Sequence, residues 1–275
     1  MNTDILQRHF ARIGATLDVE VVPSASWPWR RGRADFVLDV IRDRQGEAFA
    51  LTLFDDVLPG LDLQAVDLCP ASRHLLLLAR RSYPEAERPK EKFLCGHDER
   101  HWFVATVPDV PGITRIDAAM EALKPAAVLR SQRRNRVKQR HRHRRRNAGF
   151  IRQGEWFFVP APRFVPPHPH LILRNEPIRR GSGKPHSVEE VYRVGGETVY
   201  VSRAYPQGLR EQAYRILLQR DRQAARLDWR SMRRNPTVYA RGKVRHADHK
   251  TVVLPGWHQV ALNAEHTGPN VAFLD

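Results

Sequence analysis

Short runs of apolar residues, rather than helically spaced ones, dominate the first 107 residues of the chain. A short amphipathic helix is expected first, from the spacing of Leu6, Phe10 and Ile13. Beyond it, runs rich in Val, Leu and Phe are separated by Pro, Gly or Asp, which is typical of strands joined by turns. The predicted strands are residues 17–22, 35–41, 47–54, 61–68, 73–80 and 101–107. Leu75 to Leu78 show no polar alternation, so strand 73–80 is expected to be buried on both faces.

Helical spacing returns at two later places. Residues 117–128 follow a helical pattern that Pro125 interrupts, and residues 208–234 predict one long amphipathic helix. The apolar positions of the long helix are Leu209, Ala213, Ile216, Leu217, Ala224 and Leu227. Five prolines in residues 160–169 predict an extended connector. Further strands are expected at residues 155–159, 237–245, 250–254, 257–263 and 271–274.

These elements predict an α+β fold made of two β-rich units that a basic helical or partly disordered segment joins. Residues 1–112 form an N-terminal mostly-β unit. Residues 113–149 hold a helix that runs into an arginine-rich segment, and residues 150–275 form a basic α+β unit that contains the long amphipathic helix. The pattern leaves open whether the two β-rich units share one core.

Composition indicates a folded protein of a reducing compartment. Of the 275 residues, 41% are hydrophobic and 28% are charged, which is typical of globular chains. Cys69 and Cys95 are the only cysteines and lie 26 residues apart, so neither a disulfide framework nor a cysteine zinc site is indicated. The N-terminus has no basic region followed by an apolar run, and no apolar stretch is long enough to span a bilayer. We therefore expect a cytoplasmic protein with no membrane partner.

Positive charge is concentrated rather than spread evenly over the chain. The formal net charge is +16, of which residues 1–129 contribute −3, residues 130–146 contribute +10 and residues 147–275 contribute +9. The middle segment holds nine arginines and one lysine with no Asp or Glu. Only Val137 is apolar there, so a helix in this segment would have no face to bury, and we expect it to become ordered when anions neutralise it.

An acid-free run of arginines predicts binding to a polyanion. Arginine forms bidentate contacts with phosphate and stacks on bases, and arginine-rich segments commonly recognise RNA, so RNA is slightly favoured over DNA. The expected partners are nucleic acid and the other proteins of a nucleoprotein complex. The alternatives are a solvated connector with no ligand and an anionic membrane surface, which the lack of aromatic or leucine residues among the cations disfavours. The predicted nucleic-acid-binding residues are Arg130, Arg133, Arg134, Arg136, Lys138, Arg140, Arg142, Arg144, Arg145 and Arg146, with help from Arg179, Arg180 and Lys184.

A group of histidines near the C-terminus provides a second hypothesis, a metal-dependent nuclease or phosphoesterase. His246, Asp248 and His249 lie between two predicted strands, and His258 lies on the second of them. Imidazole nitrogens and a carboxylate are ligands for a divalent metal ion, which beside a phosphate would assist hydrolysis. These four residues are therefore the candidate metal ligands and catalytic residues. Asp248 at a hairpin tip would also occur with no ligand, since Asp favours tight turns.

Other residue clusters carry less chemistry. His97 and His101 would share a face on a helix, but Gly96 beside a strand-like run favours a hairpin turn. His168 and His170 lie in the proline-rich connector with no third ligand nearby, and a Cys95–His97 nucleophile pair is a further alternative. Residues 180–186 contain glycines and a lysine that could contact a phosphate, without the spacing of a nucleotide-binding loop. A protein–protein adaptor is the remaining alternative, and the sequence does not decide whether the protein is an enzyme.

Overall fold

A computed structural model describes residues 3–24, 35–42, 44, 46–83, 88–180 and 184–265. Among these, 48% lie in strands and 21% in helices, so the fold is mostly β. The α-helices are α1 (Thr3–Arg12), α2 (Ile116–Ala122), α3 (Ala126–Arg134) and α4 (Glu211–Arg220). None of the helices in the described residues has the length and the apolar composition needed to cross a bilayer.

The prediction of an α+β fold with a long amphipathic helix over residues 208–234 is wrong. α4 covers only Glu211–Arg220, and the chain returns as a strand at residues 230–234. The carboxylate of Asp221 accepts the N–H of Gln223 at 2.8 Å, a local bond that replaces the next helical turn. Trp229 then donates its indole N–H to the carbonyl of Ala224 at 2.8 Å and lies 4.9 Å from the ring of Tyr214. Tertiary packing of these aromatic rings therefore overrides the helical spacing.

The described part of residues 3–123 contains two sheets and the helices α1 and α2. One sheet has the order β1-β3-β2, with β1 parallel to β3, and the other is an antiparallel meander β4-β5-β6-β7. The side chains of Leu6 and Phe10 on α1 enter the core, where Phe10 lies 4.9 Å from Phe49 in edge-to-face contact. The strands are β1 (Leu17–Val22), β2 (Phe36–Arg42), β3 (Glu47–Phe54), β4 (Leu61–Cys69), β5 (His74–Arg81), β6 (Lys90–Asp98) and β7 (His101–Val107).

Strand β5 is buried on both faces, which confirms the prediction from its uninterrupted leucines. Leu75 and Leu77 pack into the cluster that holds α1, whereas Leu76 packs on the opposite face beneath α2. All three are fully buried. Because side chains alternate along a strand, only a strand covered by layers on both sides can hold consecutive leucines at no cost in exposed apolar surface.

His74, the first residue of β5, predicts a loss of stability in mild acid. Its ring is buried, and its Nδ1–H donates to the carbonyl of Ser72 at 2.5 Å. Burial lowers the pKa of His74, and the bond to Ser72 opposes that shift less strongly. The unfolded chain therefore binds this proton at higher pH than the folded chain, so the free energy of unfolding should fall as pH drops below about 6.5.

The measurement compares the wild type with His74→Gln, which cannot titrate. Urea unfolding at about pH 7.5 and about pH 5 gives the acid-induced loss for each protein. We expect a smaller loss in His74→Gln. An equal loss in both proteins would show that His74 does not contribute.

Residues 146–262 form a seven-stranded antiparallel sheet in the order β11-β12-β16-β17-β10-β9-β8 and a three-stranded sheet β14-β13-β15 beside α4. Two separately predicted strands, 250–254 and 257–263, are one strand. The predicted strand at 271–274 lies outside the described residues. The strands are β8 (Arg146–Asn147), β9 (Phe150–Gln153), β10 (Trp156–Pro160), β11 (Leu173–Ile178), β12 (His186–Val194), β13 (Glu197–Ser202), β14 (Tyr205–Arg210), β15 (Arg230–Arg234), β16 (Thr237–Arg245) and β17 (Val252–Leu262).

Two carboxylates at the turn between β6 and β7 contact residues of the C-terminal half of the chain. Asp98 accepts from Arg152 at 2.5 Å and is also paired with Arg145. Glu99 is paired with the same Arg145 and accepts the backbone N–H of Lys250 at 2.9 Å. Among the described residues, the two apolar clusters formed by residues 6–123 share no member with the two formed by residues 127–261.

Candidate functional site

The arginine-rich segment, expected to be helical or partly disordered, is helical over residues 130–134, which complete α3, and follows a path of turns from there to β8. α3 ends at Arg134, the backbone reverses at Arg136 with φ +49°, and a short 3-10 turn at Gln139–His141 leads to β8. All of residues 130–146 are described. Because the segment has almost no apolar side chains, its order must come from polar contacts.

A buried lysine and a buried glutamine provide the first of these contacts. Nζ of Lys124 and Nε2 of Gln132 both donate to the carbonyl of Arg142, at 2.9 and 2.8 Å. Nζ of Lys124 also donates to the carboxylate of Glu121 at 2.6 Å. Lys124 is 5% exposed and Gln132 is 3% exposed, so water cannot readily replace either bond.

Asn147 provides the second set of contacts. Its Nδ2 donates to the carbonyls of His141 and Arg144 at 3.2 and 3.3 Å, while its Oδ1 accepts the N–H of Gly149 at 2.8 Å. Gly149 lets the chain approach α3 closely, because a Cβ there would lie 2.9 Å from Cγ of Gln132. Side-chain bonds to backbone carbonyls therefore hold the segment against α3.

The folded segment lines a shallow, open groove of about 400 Å³, which we call the basic groove. Five of its lining residues are cations and none is a carboxylate: Arg136, Lys138, Arg140, Arg144 and Arg146. The other lining residues are Asn135, Val137, His141, Asn147 and Ala148. Such a concave surface concentrates positive potential and favours an anionic ligand.

Eight of the ten predicted cations remain available at the surface. Arg130, Arg133 and Arg134 on α3 are exposed, as are the five cations of the basic groove, and within the described part of the chain none of the eight forms an ion pair. The two exceptions are Arg142, whose Nη1 lies 3.8 Å from Glu121, and Arg145, which is paired with Asp98 and Glu99. Unpaired cations keep their full attraction for an external anion, whereas the paired ones stabilise the fold.

The three predicted helper residues differ in their surroundings. Arg179 is exposed. Arg180 donates to Glu265 at 2.8 Å, and Lys184 donates to Asp248 at 2.8 Å. The glycines of the suggested phosphate-contacting loop, residues 181–183, lie outside the described residues.

The electrostatic field of the basic groove acts on His141. Loss of hydration lowers the pKa of His141, and the positive charges of Arg144, Arg140 and Lys138 lower it further. A neighbouring cation disfavours the imidazolium form because like charges repel. The shift therefore has the sign expected of an imidazole that faces three cations.

A second cluster forms at one end of the seven-stranded sheet. His186 begins β12, and His246 and His249 lie in the turn between β16 and β17. One ligand nitrogen of each ring lies within 4.8 Å of the other two. The ring centroids of His186 and His246 are 4.2 Å apart, and those of His246 and His249 are 4.7 Å apart. We call these three residues the histidine cluster.

Both turn histidines are held in the neutral form at neutral pH. Burial lowers the pKa of His246, with a further contribution from the charge of His186. Burial also lowers the pKa of His249, to about 4, and repulsion from His246 and His186 adds to this shift. Neutral imidazole is the form that binds metal ions.

The structure brings together only two of the four residues predicted as a metal site. Asp248 is engaged by Lys184, and its backbone N–H donates to Nδ1 of His246 at 3.1 Å. His258 pairs with Ala240 and Pro160 in the sheet, and its Nδ1–H donates to the carbonyl of Gly256 at 2.7 Å. His258 therefore lies within strand β17, between β16 and β10, and is not a member of the histidine cluster.

His186 was missed as a candidate ligand because it is 60 residues from His246 in sequence. Antiparallel pairing of Ser187 with Arg245 places the two histidines side by side. A register shift between Val188 and Glu190 breaks the alternation of apolar residues that would have identified β12. Knowledge of that strand pairing is the signal that would have found it.

The weaker candidates have structural partners. His97 and His101 lie on paired strands rather than on a helix, and Nδ1 of His101 is 2.5 Å from the carboxylate of Glu47. Cys95 is fully buried, and burial raises the pKa of its thiol, which opposes nucleophilic reactivity. His168 and His170 are exposed.

A scan against protein-family models and searches of curated proteins and of solved structures found no match to this chain. Inference about function therefore starts from the basic groove and the histidine cluster.

Proposed function

We propose that the protein binds nucleic acid through the basic groove. The observation that carries the proposal is the set of five cations that line one concave surface with no carboxylate among the lining residues. Four of the five are arginines, whose planar guanidinium groups suit bidentate contact with phosphate. The positive surface continues along α3 through Arg130, Arg133 and Arg134. A nucleic-acid backbone would therefore find cations for several successive phosphates.

RNA is the form of nucleic acid that we favour. The cations are distributed over the end of a nine-residue helix and the turns that follow it. Reading of a DNA major groove generally uses a projecting helix or a two-stranded ribbon, whereas RNA loops are recognised by shape, phosphate contacts and stacking. A preformed concave surface of turns fits the second kind of recognition.

The test is a salt titration of binding with a charge-matched control. The groove variant combines Arg136→Gln, Arg140→Gln and Arg144→Gln. The control variant combines Arg220→Gln, Arg222→Gln and Arg226→Gln, which are exposed, removes the same three charges and lies outside the basic groove. Each protein is titrated with a labelled RNA hairpin at several salt concentrations, and with duplex DNA of the same stem sequence.

We expect the groove variant to bind RNA at least about tenfold more weakly, with a salt slope shallower by about two to three, since each lost phosphate contact removes about 0.7–0.9. The control should stay within about threefold of the wild type. Equal losses in the two variants would reject the basic groove as the binding site. Tighter binding to the DNA duplex would reject the preference for RNA while leaving the groove in place.

A further inference from the structure

We infer that the histidine cluster is a binding site for one Zn²⁺ ion, ligated by His186, His246 and His249. The three residues come from two separate parts of the seven-stranded sheet, and one nitrogen of each lies within 4.8 Å of the others. Two nitrogens bound to one tetrahedral zinc ion lie about 3.4 Å apart, so ligation needs the imidazole rings to move and reorient. The cluster uses none of the residues that line the basic groove, and this inference is independent of nucleic-acid binding.

Gln153 supports His186 in the way that ligand histidines are generally supported. Nδ1 of His186 lies 2.9 Å from Oε1 of Gln153 and donates to it, which leaves Nε2 as the ring atom that faces a metal ion. The amide orientation is fixed, because Nε2 of Gln153 donates to the carbonyls of Val244 and Lys250 at 3.2 and 2.7 Å. A second hydrogen bond that sets the tautomer and the ring direction is a common feature of metal-binding histidines.

The turn between β9 and β10 leaves space and supplies negative charge. A Cβ on Gly154, which has φ +56°, would lie 2.8 Å from Nε2 of His249. Oε2 of Glu155 lies 3.7 Å from Nε2 of His186. The side chain of Glu155 therefore places negative charge beside the histidine cluster. That charge offsets part of the charge of a divalent ion.

His249 has a ring nitrogen whose nearest carboxylate, that of Glu99, is 3.8 Å away and outside hydrogen-bond distance, and His246 has one that a metal would engage. Nδ1 of His249 is buried and has no hydrogen-bond partner among the described residues. Nδ1 of His246 accepts the N–H of Asp248 at 3.1 Å, a bond that ligation through this atom would replace. The rings are within 22–27° of parallel, and a bound ion would tilt them so that their lone pairs converge.

Three imidazole nitrogens restrict the kind of metal ion that can bind. Nitrogen ligands suit zinc, copper and nickel, whereas calcium and magnesium require oxygen. With a neighbouring carboxylate and no thiolate in the cluster, Zn²⁺ with one further ligand is the arrangement we assign. The ion would link the start of β12 to the β16–β17 turn and so stabilise that end of the sheet.

The test measures zinc binding by the full chain after removal of metal with a chelator. Inductively coupled plasma mass spectrometry after equilibrium dialysis against zinc should give about one ion per chain, with affinity at least about tenfold weaker in His246→Gln and in His249→Gln. The control is the double variant His168→Gln and His170→Gln, which removes two exposed imidazoles outside the cluster. Saturating zinc should raise the Tm of the wild type and the control by about 5–10 °C.

Zinc bound by His249→Gln as tightly as by the wild type would overturn the assignment, as would a wild type that binds no more zinc than its variants. If near-ultraviolet circular dichroism shows that a variant does not fold, the test uses the Co²⁺ spectrum of the wild type instead. The Co²⁺ complex of the wild type should show the strong visible absorption of tetrahedral cobalt. Adding zinc should remove this absorption, because zinc displaces the cobalt ion. A weak octahedral spectrum that zinc leaves unchanged would overturn the assignment.

Discussion

Replacing Arg81 by methionine should lower the free energy of unfolding by about 3–5 kcal/mol. The guanidinium of Arg81 is paired with Asp35 and, at 3.1 Å, with Glu91. It also donates to the carbonyl of Arg88 at 3.0 Å. The side chains of Arg81, Asp35 and Glu91 are all less than a tenth exposed. Methionine keeps most of the apolar volume but leaves two carboxylates in a site that excludes water, where the loss of a counter-ion is severe.

Arg80→Met is the matched control, since Arg80 is the neighbouring residue of β5 and is exposed. Both substitutions remove one guanidinium group. The difference between their free energies of unfolding, measured in urea, therefore reports the effect of burying the ion pairs rather than the effect of losing one positive charge. We expect a change within about 0.5 kcal/mol for Arg80→Met. Equal effects of the two substitutions would show that the buried ion pairs contribute no more than an ordinary surface arginine.

The second large effect is expected at Lys124, where methionine should destabilise the protein by about 2–3 kcal/mol. The substitution removes the ammonium group that donates to the carbonyl of Arg142 and to Glu121. Gln132 then remains as the only buried side chain that donates to that carbonyl within the described structure. The basic groove should loosen, because the turn that carries Arg140 and Arg144 depends on this anchor.

Hydrogen–deuterium exchange of residues 135–147 checks the loosening, and the RNA titration checks its effect on binding. We expect faster exchange in this segment and weaker RNA binding in Lys124→Met. Lys243→Met is the control, because Lys243 is an exposed lysine of β16. Unchanged exchange in Lys124→Met would mean that Asn147 alone maintains the path of the segment.

The sequence was sufficient to predict a strand where one or both of its faces are apolar. β1, β3, β7 and β16 match the predicted residues, and the leucines of β5 correctly indicated burial on both faces. β6 was not predicted, because it begins with charged residues at Lys90 and contains Gly96. Local composition there resembles a surface turn, and only pairing with β5 and β7 makes it an interior strand.

The candidate sites depended on information that periodicity does not carry. The order of residues 130–146 comes from single polar atoms of Lys124, Gln132 and Asn147, which a hydrophobic pattern does not register. The prediction that α4 extends to residue 234 is wrong because Asp221 and Trp229 make specific bonds at its end. The charge of the segment was plain from composition, whereas its concave shape required the tertiary structure.

Glu99 contacts elements of both candidate sites. One of its carboxylate oxygens pairs with Arg145 of the arginine-rich segment, and the other lies 3.8 Å from Nδ1 of His249. A polyanion that attracted Arg145 away would leave more of this negative charge to act on the histidine cluster. Thermodynamic linkage is reciprocal, so any change that anion binding makes to metal affinity must be matched by an equal effect of the metal on anion affinity. A single carboxylate in a turn of the N-terminal half thus lies between elements of the two proposed sites, and coupling between them would pass through its contacts with Arg145 and His249.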